Sequence, residues 1–197
     1  MASARRSDSP ADDHGALHAE LRSLRRRVAA LERERDELAG RLAARASATE
    51  SLLADPLTGL PNARAFDALA ERELHNAGRY GGLMALLVLE VDVDTDAGEA
   101  AFGAVADALR TRARRGDVLA RYGTAEFALL MAQCGASGAE TALCRLFEAL
   151  SQQGVRCAAG VAVFSLHATH LPGLIRAARA ALADAKKDGP NAFRIAG

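Results

Sequence analysis

No run in this sequence approaches the roughly 18 consecutive apolar residues of a membrane-spanning helix. The opening stretch MASARRSDSPADDHG carries charge but no apolar segment of the kind a secretory leader has. Excess charge of either sign is also missing: 25 Lys and Arg balance 25 Asp and Glu, so no overall basic field draws the chain to nucleic acid or to an anionic membrane. Any charged ligand must therefore be recognised by a local cluster. Cysteine is scarce and odd in number. Cys134, Cys144 and Cys157 lack C-x-x-C spacing and sit among apolar neighbours as small core residues do, which argues for a reducing, cytoplasmic setting and against zinc. With half of its 197 residues hydrophobic, the chain can bury one good core and carry one further element outside it.

That further element is legible first. Apolar residues recur at Leu17, Leu21, Leu24, Val28, Leu31, Leu38, Leu42 and Leu52, in steps of four and three with two charged interruptions. Placing Leu17, Leu24, Leu31, Leu38 and Leu52 at heptad position d puts Leu21, Val28 and Leu42 at a, with Arg35 at a and Arg45 at d. The remaining positions are rich in Arg and Glu, as solvated coiled-coil faces are. A lone amphipathic helix packed on its own domain is the simpler alternative, but the stripe is long and narrow, which favours self-association. Long arginines at seam positions favour two strands, where they can snorkel outward, so the expectation is a parallel homodimer through residues 17–52. The first fifteen residues read as a disordered tail, and 16–54 as the coiled-coil helix.

The helix ends in 55-DPLTGLPNARAF-66, where Pro56, Gly59 and Pro61 force a turn before a new helix begins near Asn62. This marks the boundary of a domain over 55–197. Asp55 and Asn62 read as turn and helix-cap residues. Beyond them the pattern predicts a helix over 62–77, a buried strand at 83-LMALLVLEV-91 and a helix over 99–114. Two short strands flanking Gly123 follow, then a helix over 137–150, a strand over 155–164, a helix over 173–187 and a final strand at 192–195. The alternation argues for an α/β or α+β sandwich with helices covering a sheet.

Four segments of this domain, 55-DPLTGLPN-62, 114-RRGDVLARYGTAEFALL-130, 158-AAGVAVF-164 and 180-AALADAKKDGPN-191, resemble in order the signature blocks of the GGDEF family, the diguanylate cyclases. The resemblance covers everything from Asp55 onward. It implies an α+β, cyclase-like palm, a mostly antiparallel sheet wrapped by helices and preceded here by the coiled-coil helix. Active members of the family join two GTP molecules into cyclic di-GMP across a dimer.

Joining a 3′-hydroxyl to an α-phosphate needs a divalent metal to neutralise phosphate charge and activate the attacking oxygen. In the family that metal is held by an acid at the end of the first core strand and by an acid at the third position of the hairpin tip. Here those places are Glu90 and Ala125, so one ligand is gone. The second tip position, a glycine in the family, is Thr124, and only Gly123, Glu126 and Phe127 match the name motif. The loop 90-EVDVDTDAG-98 is short and holds no Lys or Asn to bind phosphate and guanine. Glu99 takes the place of a guanine-reading Asp, Pro190 replaces a basic residue, and Lys186 stays where the family has a phosphate-contacting lysine. A last-turn cation also simply complements the helix dipole. Losing a metal ligand costs orders of magnitude in rate, so the resemblance implies a degenerate member without cyclase activity and without a metal cofactor. Mg2+ would matter only to a residual cyclase. Asp92, Asp94, Asp96 and Glu99 are expected to form a solvated acidic loop rather than a rebuilt metal site.

Five residues ahead of the tip, 114-RRGD-117 has the R-x-x-D form of the family's inhibitory product-binding site. A guanidinium fork can bond guanine O6 and N7, and a carboxylate can accept from a guanine N–H edge. The resemblance thus assigns cyclic di-GMP to Arg114 and Asp117, with Arg110 and Arg145 as auxiliaries. A helix ending in Arg112, Arg114 and Arg115 before Gly116 is equally what ordinary C-capping produces. Three functions stay open: an inactive receptor for cyclic di-GMP, a nucleotide-independent scaffold acting on another signalling protein, and a residual cyclase. His167 and His170 lie in a polar loop without companion ligands, so no metal is expected there.

Overall fold

The computed structural model describes the backbone of residues 10–92 and 98–197, with side chains over 18, 20–41, 52–92 and 100–197. Two compact units are present, residues 1–50 and 51–197.

The first unit is helix α1, Pro10–Leu53, whose last residues belong to the second unit. It starts ahead of the expected residue 16: a proline at the first helical position and Asp12 and Asp13 in the first turn suit a helix start. Residues 1–9 of the expected tail lie outside the described residues. The described seam side chains are exposed in the single chain, from 41% for Leu21 to 69% for Leu52. Leu17 and Leu42 lie outside the described side chains.

In the second unit, the apolar run near residue 83 becomes β1, Met84–Val91. It is the middle strand, paired on both edges, and is buried on both faces because helices cover each side of the sheet. The sheet also contains β2 (Val118–Arg121), β3 (Glu126–Ala132), β4 (Cys157–Val163) and β5 (Phe193–Ile195), in the order β2-β3-β1-β4-β5. The pairs β1–β3, β1–β4 and β2–β3 are antiparallel, and only β4–β5 is parallel. Met84 faces Ala132 across the β1–β3 ladder and Glu90 faces Glu126, so the hairpin's open end and its tip lie at opposite ends of the sheet.

Four helices cover the two faces: α2 (Ala63–Tyr80), α3 (Gly98–Arg112), α4 (Ala136–Gln152) and α5 (Leu171–Ala185), the last running into a 3-10 turn, Lys186–Asp188. Successive strand side chains point to opposite faces. Ala85, Leu87, Leu89 and Val91 pack with Phe102, Val105, Leu109, Leu143 and Leu146 of α3 and α4. Leu86 and Val88 pack with Phe66, Ala70 and Leu74 of α2 and Leu174, Ala178 and Leu182 of α5. Each large apolar side chain fully buried on folding contributes about 1.5–3 kcal/mol. This is the α+β palm expected from the sequence.

The turn after α1 is built as its residues suggest. Asp55 accepts from the Thr58 amide (2.8 Å) and hydroxyl (2.7 Å), and Gly59 takes a positive φ of 64°. Asn62 caps α2 by accepting from Ala65 N at 3.1 Å and donates to Leu52 O at 2.9 Å. His170 and His167 also serve local structure. The Nδ1 atom of each accepts a backbone N–H, His170 from Gly173 at the start of α5 (3.0 Å) and His167 from Val163 (2.7 Å). A histidine used in this way would have to give up its backbone bond or an N–H proton to become a metal ligand.

Candidate functional site

The two ends of the β2–β3 hairpin carry the two constellations that matter. At the tip, the Glu126 carbonyl accepts the amides of Tyr122 (2.7 Å) and Gly123 (3.0 Å), and Arg121 Nη2 donates to Thr124 O at 2.5 Å. Ala125 turns its carbonyl to Val91 N at 2.9 Å, which ties the tip to the end of β1. Its methyl group offers no ligand. Beside it lies a cleft of about 440 Å3 lined by Glu90, Asp92, Ala125, Arg156, Lys186 and Pro190, among others.

The charges in this cleft are already matched. Lys186 Nζ bonds Glu90 Oε1 at 2.5 Å, and Arg156 Nη2 lies 3.1 Å from Asp92 Oδ2. Glu90 and Lys186, assigned separately by sequence to the metal and phosphate positions, therefore engage each other. A divalent cation here would have to displace a lysine from its carboxylate and would find a methyl group at its second protein ligand. The donor set does not fit the metal that cyclisation requires. No group of three or more His, Cys, Asp or Glu side chains able to hold a metal occurs among the described residues. Of the acidic loop, Asp92 lines this cleft, whereas Asp94, Asp96 and the side chain of Glu99 lie outside the described residues.

Glu126, the acid the tip retains, is occupied too. Both its oxygens accept from Arg179 of α5, at 2.8 and 2.7 Å, and these bonds raise the Arg179 pKa above its ordinary value. Arg179 also lies over the Tyr122 ring, 5.5 Å from its centroid. Tyr122 donates to Asp67 at 2.9 Å; burial, reinforced by that carboxylate, pushes its hydroxyl up to about 12. Behind the tip, Arg121 pairs with Asp55 at 3.1 Å, both side chains largely buried, and stacks on Phe102 at 4.5 Å. Burial alone would raise the Asp55 pKa, but the bonds from Thr58 and Arg121 outweigh it and hold the carboxyl below its ordinary value.

At the open end, α3 stops at Arg112 and the chain turns through 114-RRGD-117 into β2. Asp117 is the staple of this turn. Its Oδ2 accepts Arg114 N at 2.7 Å and its Oδ1 accepts Ala132 N at 2.9 Å, so the carboxylate ties the turn to the end of β3. A cavity of about 240 Å3 opens here between α3 and α4. Arg112, Arg114, Asp117 and Arg145 line it together with Leu109, Met131, Leu143 and Leu146. Arg114 and Arg145 are exposed, and neither guanidinium has a hydrogen-bond or ion-pair partner among the described residues. Half-buried Cys134 also lines the cavity; burial and then the Asp117 charge raise its thiol pKa, with Arg114 partly offsetting them.

The structure thus brings together three of the four residues the R-x-x-D reading singled out. Arg110 is the exception. Its guanidinium bonds Thr58 O at 2.5 Å and Asp107 at 3.2 Å, on the side toward the Asp55 turn. Helical residues two apart point in nearly opposite directions, so Arg110 faces away where Arg112 faces in. Sequence reading missed Arg112, Arg156 and Arg179. Arg112 was visible as part of a basic helix end, whereas nothing in sequence connects Arg156 with Asp92 or Arg179 with Glu126.

The five-stranded palm with this hairpin is the fold of solved GGDEF domains, and the comparisons with known proteins agree. The family model described as diguanylate cyclase, GGDEF domain, matches residues 52–192. The chain belongs to the GGDEF domain family. It is 31% identical over 158 residues to the probable diguanylate cyclase DgcC of Escherichia coli K12, covering 72% of this chain and 43% of that protein. It is 32% identical over 132 residues to the diguanylate cyclase DgcP of Pseudomonas aeruginosa, covering 58% of this chain and 20% of that one. The chain therefore spans less than half the length of these curated relatives. Among solved structures, the coiled coil and GGDEF domain of DgcB from Caulobacter crescentus, in complex with c-di-GMP, aligns with TM-score 0.71 and 26% identity over 88% of this chain and 100% of that one. Diguanylate cyclase SiaD in complex with its activator SiaC, from Pseudomonas aeruginosa, aligns with TM-score 0.67 and 25% identity over 94% of this chain and 78% of that one. No helix among the described residues is long and apolar enough to cross a membrane.

Proposed function

We propose that this chain is a catalytically inactive GGDEF-domain protein that binds cyclic di-GMP in the pocket of Arg114, Asp117 and Arg145, and passes the bound state on through a dimeric α1. The observation that carries this reading is the contrast in charge between the two hairpin ends. At the tip the acids are neutralised by Lys186, Arg156 and Arg179, and Ala125 replaces a metal ligand. At the open end two guanidinium groups have no partner among the described residues. Positive charge left uncompensated in a concave wall recruits anions. The staple role of Asp117 does not exhaust it, because each carboxylate oxygen can accept more than one bond.

Two measurements test this. Calorimetry with cyclic di-GMP should show binding to the wild type and at least about tenfold weaker binding to Arg114→Ala, since a guanidinium fork on a guanine edge is worth about 1–3 kcal/mol. Equal affinity for both defeats the site assignment. Incubation with GTP and Mg2+ or Mn2+ should yield no cyclic di-GMP; steady turnover would show a residual cyclase.

A second reading, a dimerising scaffold that acts on another signalling protein without nucleotide, is favoured by the exposed leucine seam of α1. Burying such a seam is what coiled-coil pairing does. Analytical ultracentrifugation should report a dimer, and a concentration-independent monomer would remove both the dimer and the transmission route. Capture of a partner that is insensitive to cyclic di-GMP would favour the scaffold over the receptor.

A further inference from the structure

Arg112, in the last turn of α3, lines the same cavity as Arg114 and Arg145. Its Nη1 donates to the Ala108 carbonyl at 3.1 Å, a bond that lays the guanidinium against the end of the helix. A guanidinium has five N–H donors, so the others remain available to a ligand. Among the described residues lining the cavity the one acid is Asp117, both of whose oxygens already hold backbone amides. None of the three arginines forms an ion pair among the described residues. Three cations facing one engaged carboxylate leave an imbalance that a dianion corrects better than a monoanion.

The rest of the wall is apolar, formed by Leu109, Met131, Leu143 and Leu146. A volume of about 240 Å3 falls below the roughly 300 Å3 at which pockets begin to enclose a drug-sized ligand. It has room for a single ring system, with the remainder of a larger ligand left along the rim where the arginines stand.

We propose that Arg112 is a phosphate-binding residue of this pocket, and that the ligand is a dianionic cyclic dinucleotide with one purine on the apolar wall and its phosphates at the rim, on Arg112 and Arg145. The proposal rests on reading the pocket as a cyclic di-GMP site, and it divides the work among the arginines. Arg114, with its side chain uncommitted, reads the base edge by a two-pronged contact. Arg112, with one nitrogen already used, acts chiefly as charge.

The test is calorimetry of the full chain with cyclic di-GMP and with its adenine counterpart, at low and moderate salt, on the wild type, Arg112→Gln, Arg112→Lys and Arg114→Ala. A phosphate contact weakens binding uniformly and lowers its salt dependence, whereas a base contact changes specificity. Arg112→Gln should lose roughly three- to tenfold affinity for both dinucleotides, with a flatter salt dependence and an unchanged guanine-to-adenine preference. Arg112→Lys keeps the charge and should retain most of the binding; Arg114→Ala should narrow the preference. Thermal melts of each variant register the loss of the Ala108 bond separately. If Arg112→Gln binds as the wild type does, with the same salt dependence, or if it alters the base preference, the proposal is overturned. If the wild type itself binds neither dinucleotide, the functional reading falls and takes this proposal with it. That failure appears in the wild-type titration, apart from any variant.

Discussion

Replacing Gly160 with alanine tests how the sheet and α5 hold the tip cleft in shape. Gly160 sits in β4 opposite Val88 of β1 and Arg194 of β5. A Cβ there would stand 1.9 Å from Ala178 O and 2.3 Å from Leu182 N, both backbone atoms of α5. Neither can swing aside as a side-chain terminus could. Relief requires α5 to retreat from the sheet by about 1 Å, loosening Leu174, Ala178 and Leu182 against Leu86 and Val88 in a close-packed layer. Overpacking costs about 1–3 kcal/mol, and a clash with helix backbone belongs at the upper end, about 3 kcal/mol. For a domain of this size that corresponds to a fall in Tm of roughly 6–12 °C. The retreat would also draw Arg179 away from Glu126 and Lys186 away from Glu90, pairs now held at 2.7 and 2.5 Å. Scanning calorimetry and urea unfolding measure the effect. Gly103→Ala is the opposite control: it lies on the exposed face of α3 with nothing within 4 Å of its Cβ, and should gain about 0.5–1 kcal/mol. A Gly160→Ala protein melting with the wild type would refute the close approach of β4 and α5.

Arg121→Met should destabilise the domain by about 3 kcal/mol, because it strands Asp55 in a largely buried site, although the Thr58 bonds remain. The Asp55 carboxyl is held below its ordinary value, so its contribution is present above the unfolded pKa of about 3.9 and lost as pH falls through the lower folded value. The stability gap between wild type and Asp55→Asn should therefore close on acidification below about pH 4, and a gap independent of pH would contradict the pair. With a thiol reagent, exposed Cys144 should react first and half-buried Cys134 more slowly, while Cys157, buried and with its thiol pushed up to about 12, should react only on unfolding. Rapid labelling of Cys157 in the native protein would contradict its placement in the core.

Much of the fold was legible in sequence. The run 83-LMALLVLEV-91 announced a strand buried on both faces, and it is the central one. Pro56, Gly59 and Pro61 marked the turn after α1, and Asn62 caps α2 as its type and position suggested. Element ends were less legible. The strand expected over 155–164 is Cys157–Val163, and α5 begins at Leu171, ahead of the expected 173, because His170 caps it through a ring nitrogen. Arg110 does not line the cavity that Arg112 lines, because proximity along the chain is not proximity on a helix, where two residues of separation turn the side chain to the far side.

Local properties are what the sequence by itself determined: the periods of the helices and strands, the turn chemistry, the heptad seam and the identity of the residues at the hairpin tip. The absence of a ligand at Ala125 needs no coordinates once the tip is recognised. Tertiary structure alone decided which charges meet. Glu90 with Lys186, Asp92 with Arg156 and Glu126 with Arg179 lie 96, 64 and 53 residues apart in the chain, and each pair forms because the sheet order sets β1, β3, β4 and α5 side by side. Ionic contacts carry no periodic signature along a chain. Their partners are chosen by packing, which is why the neutralised tip and the arginine-rimmed pocket at the other end emerge only in three dimensions.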